Sequence, residues 1–470
     1  MGLVMEQRTA TGLFEHLETD RLNLGHLKVI LLSGMGFFTD AYDLFNIGVM
    51  LLILTPLWGL TNLQKGLLAS AALWATVAGQ LLFGRLLDVL GRKKVYGIEA
   101  AILGAGALAS AFAVNFTTLL ITRVIMGLGI GGDYPASSTI ASEYAPTRNR
   151  GRMVALVFSM QGVGIATAVA VGLLSAAYLP PDLAWRVVAA IGAIPPLFVI
   201  YYRRRIPETP RYSLLVKGDK SEAKSAISLV AGSPTWDLPE ARAERYSAAD
   251  FLRTFWFTLI GTAVPWLLMD VALYGTGVFS NDITATMIAG KSLAAQVLRS
   301  GVPLLIGIPG YFIAAYLVDS AGRKSLQTIG FSVMTFIYAV LALSYTGFMG
   351  TLGDVYKYLL FGLSFTFINL GPNTTTFIIP AEVYPVRYRS TGHGISAASG
   401  KVGAALSTMF LPLLQRRLGV GPLFALLALV SIGGALTTVV FTPEAKGLTL
   451  EEASRERLVI KSPQPLPVMS

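Results

Sequence analysis

The stretch Gly84-Arg-Leu-Leu-Asp88-Val-Leu-Gly91-Arg92-Lys93 decides how the rest of the chain is read. Its core returns 231 residues later as Asp319-Ser-Ala-Gly322-Arg323-Lys324. Two further features recur at nearly that distance. Glu143 with Arg150 returns as Glu382 with Arg389, an offset of 239, and Pro207-Glu208 returns as Pro443-Glu444, an offset of 236. Three motifs at nearly one offset mark an internal duplication. Each copy of the first motif is a short polar turn between long apolar runs, so the duplicated unit is a set of helices.

Composition says what solvent those helices meet. Of 470 residues, 53% are hydrophobic and 14% charged, whereas a soluble domain carries about 25% charged residues. That excludes one large water-soluble enzyme and leaves an all-α polytopic membrane protein. There is no cysteine, hence no disulfide framework, thiolate metal site or cysteine nucleophile. Histidine occurs only as His16, His26 and His393, so neither a metal nor a cofactor is expected. The 48 glycines suit close-packed membrane helices. A net charge of +10 would suggest nucleic acid in a soluble protein, but here it reports basic loops, and no nucleic-acid partner is expected.

A crossing helix needs ~20 mostly apolar residues. Twelve stretches qualify: 28–55, 65–87, 95–114, 117–141, 153–178, 183–203, 253–281, 296–318, 326–346, 354–380, 391–415 and 420–441. They divide the chain into an N-terminal segment 1–27, a six-helix half 28–203, a linker 204–252, a second six-helix half 253–441 and a tail 442–470. The first span follows a charged segment and contains Asp40 and Asp43, so it does not read as a signal peptide. With both termini inside, the short inner loops carry eleven Lys and Arg against seven outside, which places the termini in the cytoplasm. The linker reads as a connection with a short amphipathic helix. The tail reads as charged, then Pro-rich and poorly ordered.

Ionisable residues within the spans are costly in lipid, so each is a functional candidate. Away from the span ends they are Asp40, Asp43, Glu99, Arg123, Asp133, Asp270 and Lys401. Glu99, near a helix start, is expected to pair with basic loop residues. Trp266, Asp270 and Tyr274 are spaced i, i+4, i+8 and share one helical face. Gly129-Ile-Gly-Gly-Asp133-Tyr134-Pro135, Gln161, and Gly371-Pro-Asn373-Thr-Thr-Thr376 add close approach and neutral hydrogen-bonding groups, and Pro372 implies a kink.

Two related helical halves around a central site is transporter architecture. The Gly84–Lys93 motif and its copy resemble the signature loops of the major facilitator superfamily, a resemblance that covers nearly the whole chain. It implies gating latches from Asp88, Arg92, Glu143 and Arg150, and from Asp319, Arg323, Glu382 and Arg389. Gly34-Met-Gly-Phe-Phe-Thr-Asp40-Ala-Tyr-Asp43, Gly131-Gly-Asp133-Tyr134-Pro135, the Trp266–Asp270–Tyr274 face, Gly371-Pro-Asn373-Thr-Thr-Thr-Phe and Ser396-Ala-Ala-Ser-Gly-Lys401 resemble, more narrowly, the inorganic phosphate:H⁺ symporter family. That resemblance implies phosphate binding by Tyr134, Gln161, Trp266, Asp270, Tyr274 and Asn373. It implies proton coupling through Asp40, Asp133 and Asp270 with Arg123, and places Lys401 beneath the substrate. The implied activity is import of inorganic phosphate with protons by alternating access, in the plasma membrane, with one chain as the functional unit. Transport of an organophosphate, sugar or aromatic acid is the alternative, and an enzyme is not expected.

Depth arithmetic adds an expectation. At 1.5 Å per residue Asp40 lies roughly 18 Å into the first span, and Arg123 and Asp133 lie about 9 and 24 Å into the fourth, which runs the other way. Across a core ~30 Å thick, Arg123 is level with Asp40, so these two are expected to pair, with Asp133 further inward. Lys401, near mid-depth, is expected to attract phosphate, or to pair with an Asp when the site faces the cytoplasm.

Overall fold

The computed structural model describes residues 13–18, 22–232, 238–346 and 352–461. Most of the N-terminal segment and the Pro-rich end of the tail lie outside the described residues. The crossing helices are numbered α1 to α12. They are Leu24–Trp58, Asn62–Leu90, Ile98–Ala111, Phe116–Tyr144, Arg150–Tyr178, Pro181–Arg203, Ala248–Gly277, Leu293–Ala321, Arg323–Ser344, Asp354–Ile368 continued by Thr374–Glu382, Arg389–Leu418 and Val420–Phe441. Ten of them, with α6 counted across a short turn at Gly192-Ala193, are long and apolar enough to span a bilayer. The other two, α3 and α10, are broken crossings. Tyr96-Gly97, with Gly97 at φ 103°, detaches the turn Arg92–Val95 from α3. In α10 the segment Asn369–Asn373 widens into a π turn at Gly371-Pro372, because Pro372 has no N–H to donate.

The duplicated motifs have one physical job in each half. Gly91 (φ 102°) and Gly322 (φ 93°) end α2 and α8 in a conformation that costs glycine little. The next helix then starts with unpaired backbone N–H groups. Glu208 accepts from Arg92 N at 3.1 Å, and Glu444 accepts from Arg323 N at 3.2 Å. The Pro-Glu motif therefore recurs with the glycine motif because it caps it. The halves pack alike: α1 on α5 matches α7 on α11, and α2 on α4 matches α8 on α10. Across the halves, α2 lies on α11 and α5 on α8.

The linker gathers at one end of the bundle, called here the linker end. Its helix Lys220–Ala231 lies against the start of α1, where the Asn23 side chain donates to Val230 O. The strand β1, Glu240–Ala243, pairs antiparallel with the tail strand β2, Leu458–Lys461. That pairing is absent from the sequence reading, which left both segments irregular.

Candidate functional site

The linker end is shut by two related ion clusters. Glu143 on α4 receives Arg92 of its own half at 3.2 Å and Arg389 of the other half at 2.8 Å. Glu382 on α10 receives Arg323 at 2.8 Å and, across the halves, Arg150 at 2.8 Å. Asp88 accepts from Ser390 N and Thr391 N (3.2 and 2.7 Å), the first turn of α11. Asp319 accepts from Gly151 N and Arg152 N (3.0 and 2.7 Å), the first turn of α5. Each aspartate thus meets the positive end of a helix in the opposite half. All eight latch residues inferred from the sequence come together, and Arg150 reaches across the halves rather than to its own.

Further in, aromatic rings close the space between the halves. Phe158 stacks on Phe377 at 4.5 Å between centroids, Phe37 meets Phe377 at 4.8 Å, and Phe377 and Trp266 both meet His393, at 5.4 and 5.5 Å. Each belongs to a helix turn lying on the linker side of the polar centre. Trp266 stands out in the sequence, but the three phenylalanines do not, because a buried phenylalanine in an apolar helix carries no distinguishing signal.

Beyond the rings lies a buried polar centre built from both halves. Lys401 Nζ on α11 donates to Asp270 Oδ2 (3.0 Å) and to the Tyr274 hydroxyl (2.9 Å) on α7. The ammonium also lies over the rings of Tyr274 and Tyr134, at 4.2 and 4.9 Å. A neutral hydrogen-bond chain crosses the same space. Asn373 Nδ2 donates to the Tyr311 hydroxyl (3.0 Å), Tyr311 donates to Gln161 Oε1 (3.1 Å), and Gln161 Nε2 donates to Tyr134 (3.2 Å) and Asp40 Oδ2 (3.3 Å). Five of the six residues assigned to substrate therefore join one connected cluster with Asp40 and Lys401, and the sixth, Trp266, stands beside Tyr134 with 6.1 Å between ring centroids. Tyr311 on α8 completes the chain and was not singled out from the sequence. Gly400 is required beside Lys401, since a Cβ there would collide with the Trp266 indole.

Three expectations need correction. Arg123 does not pair with Asp40; its acidic neighbour is Asp43, one turn further along α1, and Asp40 turns to Gln161 instead. Glu99 does not pair with a loop residue: Arg203 Nη1 binds it at 3.0 Å and binds Asp133 Oδ1 at 2.6 Å. Glu99 thus takes its partner from the end of α6 rather than from a loop, and also accepts from Gly97 N at 2.8 Å. Arg203, the last residue of the sixth span, is not among the candidates singled out from the sequence. Finally, Lys401 pairs with Asp270 while the linker end is shut.

Two pseudo-symmetric six-helix halves that close on a charged central site define a secondary transporter of the major facilitator superfamily, not an enzyme. The family described as sugar (and other) transporter matches residues 17–456. The fold is similar to that of the proton:xylose symporter XylE bound to 6-bromo-6-deoxy-D-glucose, with a TM-score of 0.79 at 19% identity, covering 92% of this chain and 98% of that one. A probable inorganic phosphate transporter 1-6 from Arabidopsis thaliana is 35% identical over 95% of this chain and 96% of its own length. An inorganic phosphate transporter 1-6 from Oryza sativa subsp. japonica is 37% identical over 91% and 92%. The chain belongs to the inorganic phosphate transporter 1 family, a multi-pass membrane family.

Proposed function

We propose that this chain imports inorganic phosphate with protons by alternating access in the plasma membrane, with the linker end in the cytoplasm and one chain as the complete unit. The Lys401–Asp270–Tyr274 cluster carries the reading. A lone cation in a membrane protein's centre needs a partner, and here the partner is an acid that can give up its charge. When a phosphate monoanion arrives, Lys401 turns from Asp270 to phosphate. Asp270 is then an unpaired carboxylate beside an anion, and both burial and the like charge favour its protonation. One anion thus brings one proton, and the centre stays neutral.

The remaining groups suit H₂PO₄⁻, which both donates and accepts. The Trp266 N–H, the hydroxyls of Tyr134 and Tyr274 and the amides of Gln161 and Asn373 offer neutral donors. The aromatic layer and the latches close the cytoplasmic side while the anion loads; exchange of the two closed sides then delivers it inward. The excess of basic residues in the loops at the linker end supports the orientation, and both halves of one chain supply the site.

Uptake of labelled phosphate by proteoliposomes under an imposed pH gradient tests this. Gradient-driven accumulation is expected, and it should resist excess xylose or glycerol phosphate. Asp270→Asn should abolish accumulation. An Asp270→Asn protein that still concentrates phosphate would remove Asp270 from coupling.

A further inference from the structure

Asn46 on α1 is 2% exposed, in a run whose buried neighbours Ile47, Met50, Leu51, Ile53 and Leu54 are apolar. Among the described residues neither atom of its amide makes a hydrogen bond of good geometry, and the Tyr42 hydroxyl is the polar group beside it. That hydroxyl gives its proton to Val188 O at 2.8 Å, so it has none for the amide carbonyl, and the amide N–H groups find no acceptor of good geometry there. A buried amide left in this way is costly, so such groups are normally met by ordered water.

Asn46 lines two small cavities at once. One, of about 30 Å³, lies between the halves, beside Gly48, Val169, Val278, Asn281, Ser300 and Leu304. It shares Gly48, Leu52, Val278 and Asn281 with a wider pocket of about 180 Å³ at the far end, where Lys65 and Asp282 stand. The other cavity, of about 10 Å³, lies within the first half beside Asp43, Ser110, Arg123 and Met126. There Asp43 Oδ2 and Arg123 Nε and Nη2 are also buried without hydrogen-bond partners among the described residues. Each small cavity has room for about one water.

The charged and titratable groups around Asn46 are few. Tyr42 and Asp43 come from α1 and Arg123 from α4; α3 gives Ser110, and α6 gives Val188 and Ala189. Across the halves stand Ser300 and Asn281, the latter held by Arg299 at 2.5 Å. Asp40, Asp43 and Asn46 follow at intervals of three residues, about 4.5 Å of rise each, and Asp40 ends on Gln161 in the central site.

We propose that Asn46 is a positioning residue that holds water between the far-end pocket and Asp43, and so admits the proton to the α1 ladder leading to the phosphate site. A carboxamide suits this because it both donates and accepts, whichever way the water points. Leucine, of similar size, would seal the passage. The inference rests on the reading of the chain as a proton symporter.

The test compares gradient-driven phosphate uptake with phosphate exchange, which needs no net proton transfer, in proteoliposomes of wild type, Asn46→Leu and Asn46→Ser. Asn46→Leu should lower driven uptake by about tenfold or more, a barrier increment of about 1.4 kcal/mol, and make it less responsive to external pH. Exchange should stay near wild type. Asn46→Ser, which leaves room for water, should recover most of the driven uptake. Driven uptake by Asn46→Leu at the wild-type rate and pH profile would overturn the role of Asn46 alone. Equal loss of exchange and driven uptake in both variants would reduce Asn46 to a structural residue. A wild type with no driven uptake at all would overturn symport, and the relay with it.

Discussion

Arg203 illustrates how a single residue is placed by what it neutralises. Its guanidinium is fully buried and carries two acids, Asp133 and Glu99, while it also donates to Leu32 O at 3.1 Å. The site leaves no slack, because a Cβ at Gly36 would collide with the Asp133 carboxylate and the Arg203 guanidinium. Removing one partner of a buried pair costs about 3–5 kcal/mol, since the other charge stays behind unpaired. Arg203→Gln should therefore lower the thermal unfolding midpoint of the detergent-solubilised protein sharply. Arg204→Gln, at an exposed position, should change stability by no more than about 0.5 kcal/mol. Equal midpoints for the two variants would refute this account of Arg203. The acids of this cluster were legible in the sequence, because a carboxylate within an apolar span stands out. Arg203 was not, because it ends such a span within an Arg-Arg-Arg run, where nothing in one dimension tells an inward arginine from its outward neighbours.

Among the elements, the long helices were legible and their interruptions less so. Apolar length fixes a crossing, but the break in α3 at Tyr96-Gly97 and the π turn of α10 depend on local backbone conformation. The strand pair β1–β2 was least legible of all: Glu-Ala-Arg-Ala and Leu-Val-Ile-Lys are too short to announce a strand, and they lie over 200 residues apart. This pair clamps the tail over the mouth of the bundle. Close to it, Arg387 Nε donates to Ala243 O at 3.2 Å, Arg211 binds Glu451 at 2.7 Å, and Glu456 accepts from Val386 N at 2.7 Å. Glu456 as a residue is partly exposed, but its Oε1 is buried without a hydrogen-bond partner among the described residues. Burial pushes its carboxyl up to about 7, against the opposing pull of Arg389. The docked tail therefore binds a proton more tightly than the free tail does. Between about pH 4.5 and 7 docking weakens as pH rises, because the docked form must give up a proton the free form has already lost. Amide hydrogen exchange in β2, measured at pH 6 and pH 8 and corrected for intrinsic rates, should show stronger protection at pH 6. Glu456→Gln should remove the difference; a difference that persists in that variant would assign the effect to another group.

At the scale of the whole molecule, the duplication makes the two halves equal partners in one closure. Each half contributes an acid, Glu143 or Glu382, that holds an arginine of its own and one of the other half, and an aspartate that caps a helix of the opposite half. None of these groups takes part in the hydrogen bonds of the central polar cluster, so losing one is expected to act on the balance between closed and open rather than on binding. A transporter's two states differ by only a few kcal/mol, while a buried pair broken on one side costs about 3–5 kcal/mol. Losing one latch acid should thus be enough to shift the balance. Glu382→Gln releases two arginines at once and destabilises only the state in which they are gathered. The absence of cysteine supplies the readout, since one introduced thiol reports without background. Ser396→Cys, on α11 just inside the latch and buried against Thr262 and Tyr384, should react slowly with a water-soluble maleimide in the otherwise unaltered protein. In the Glu382→Gln background its labelling should rise severalfold. Thiols placed near Asn281 at the far end should label more slowly, because the two sides open in alternation. Faster labelling on both sides would mean that the latch holds the halves together rather than choosing which side is open.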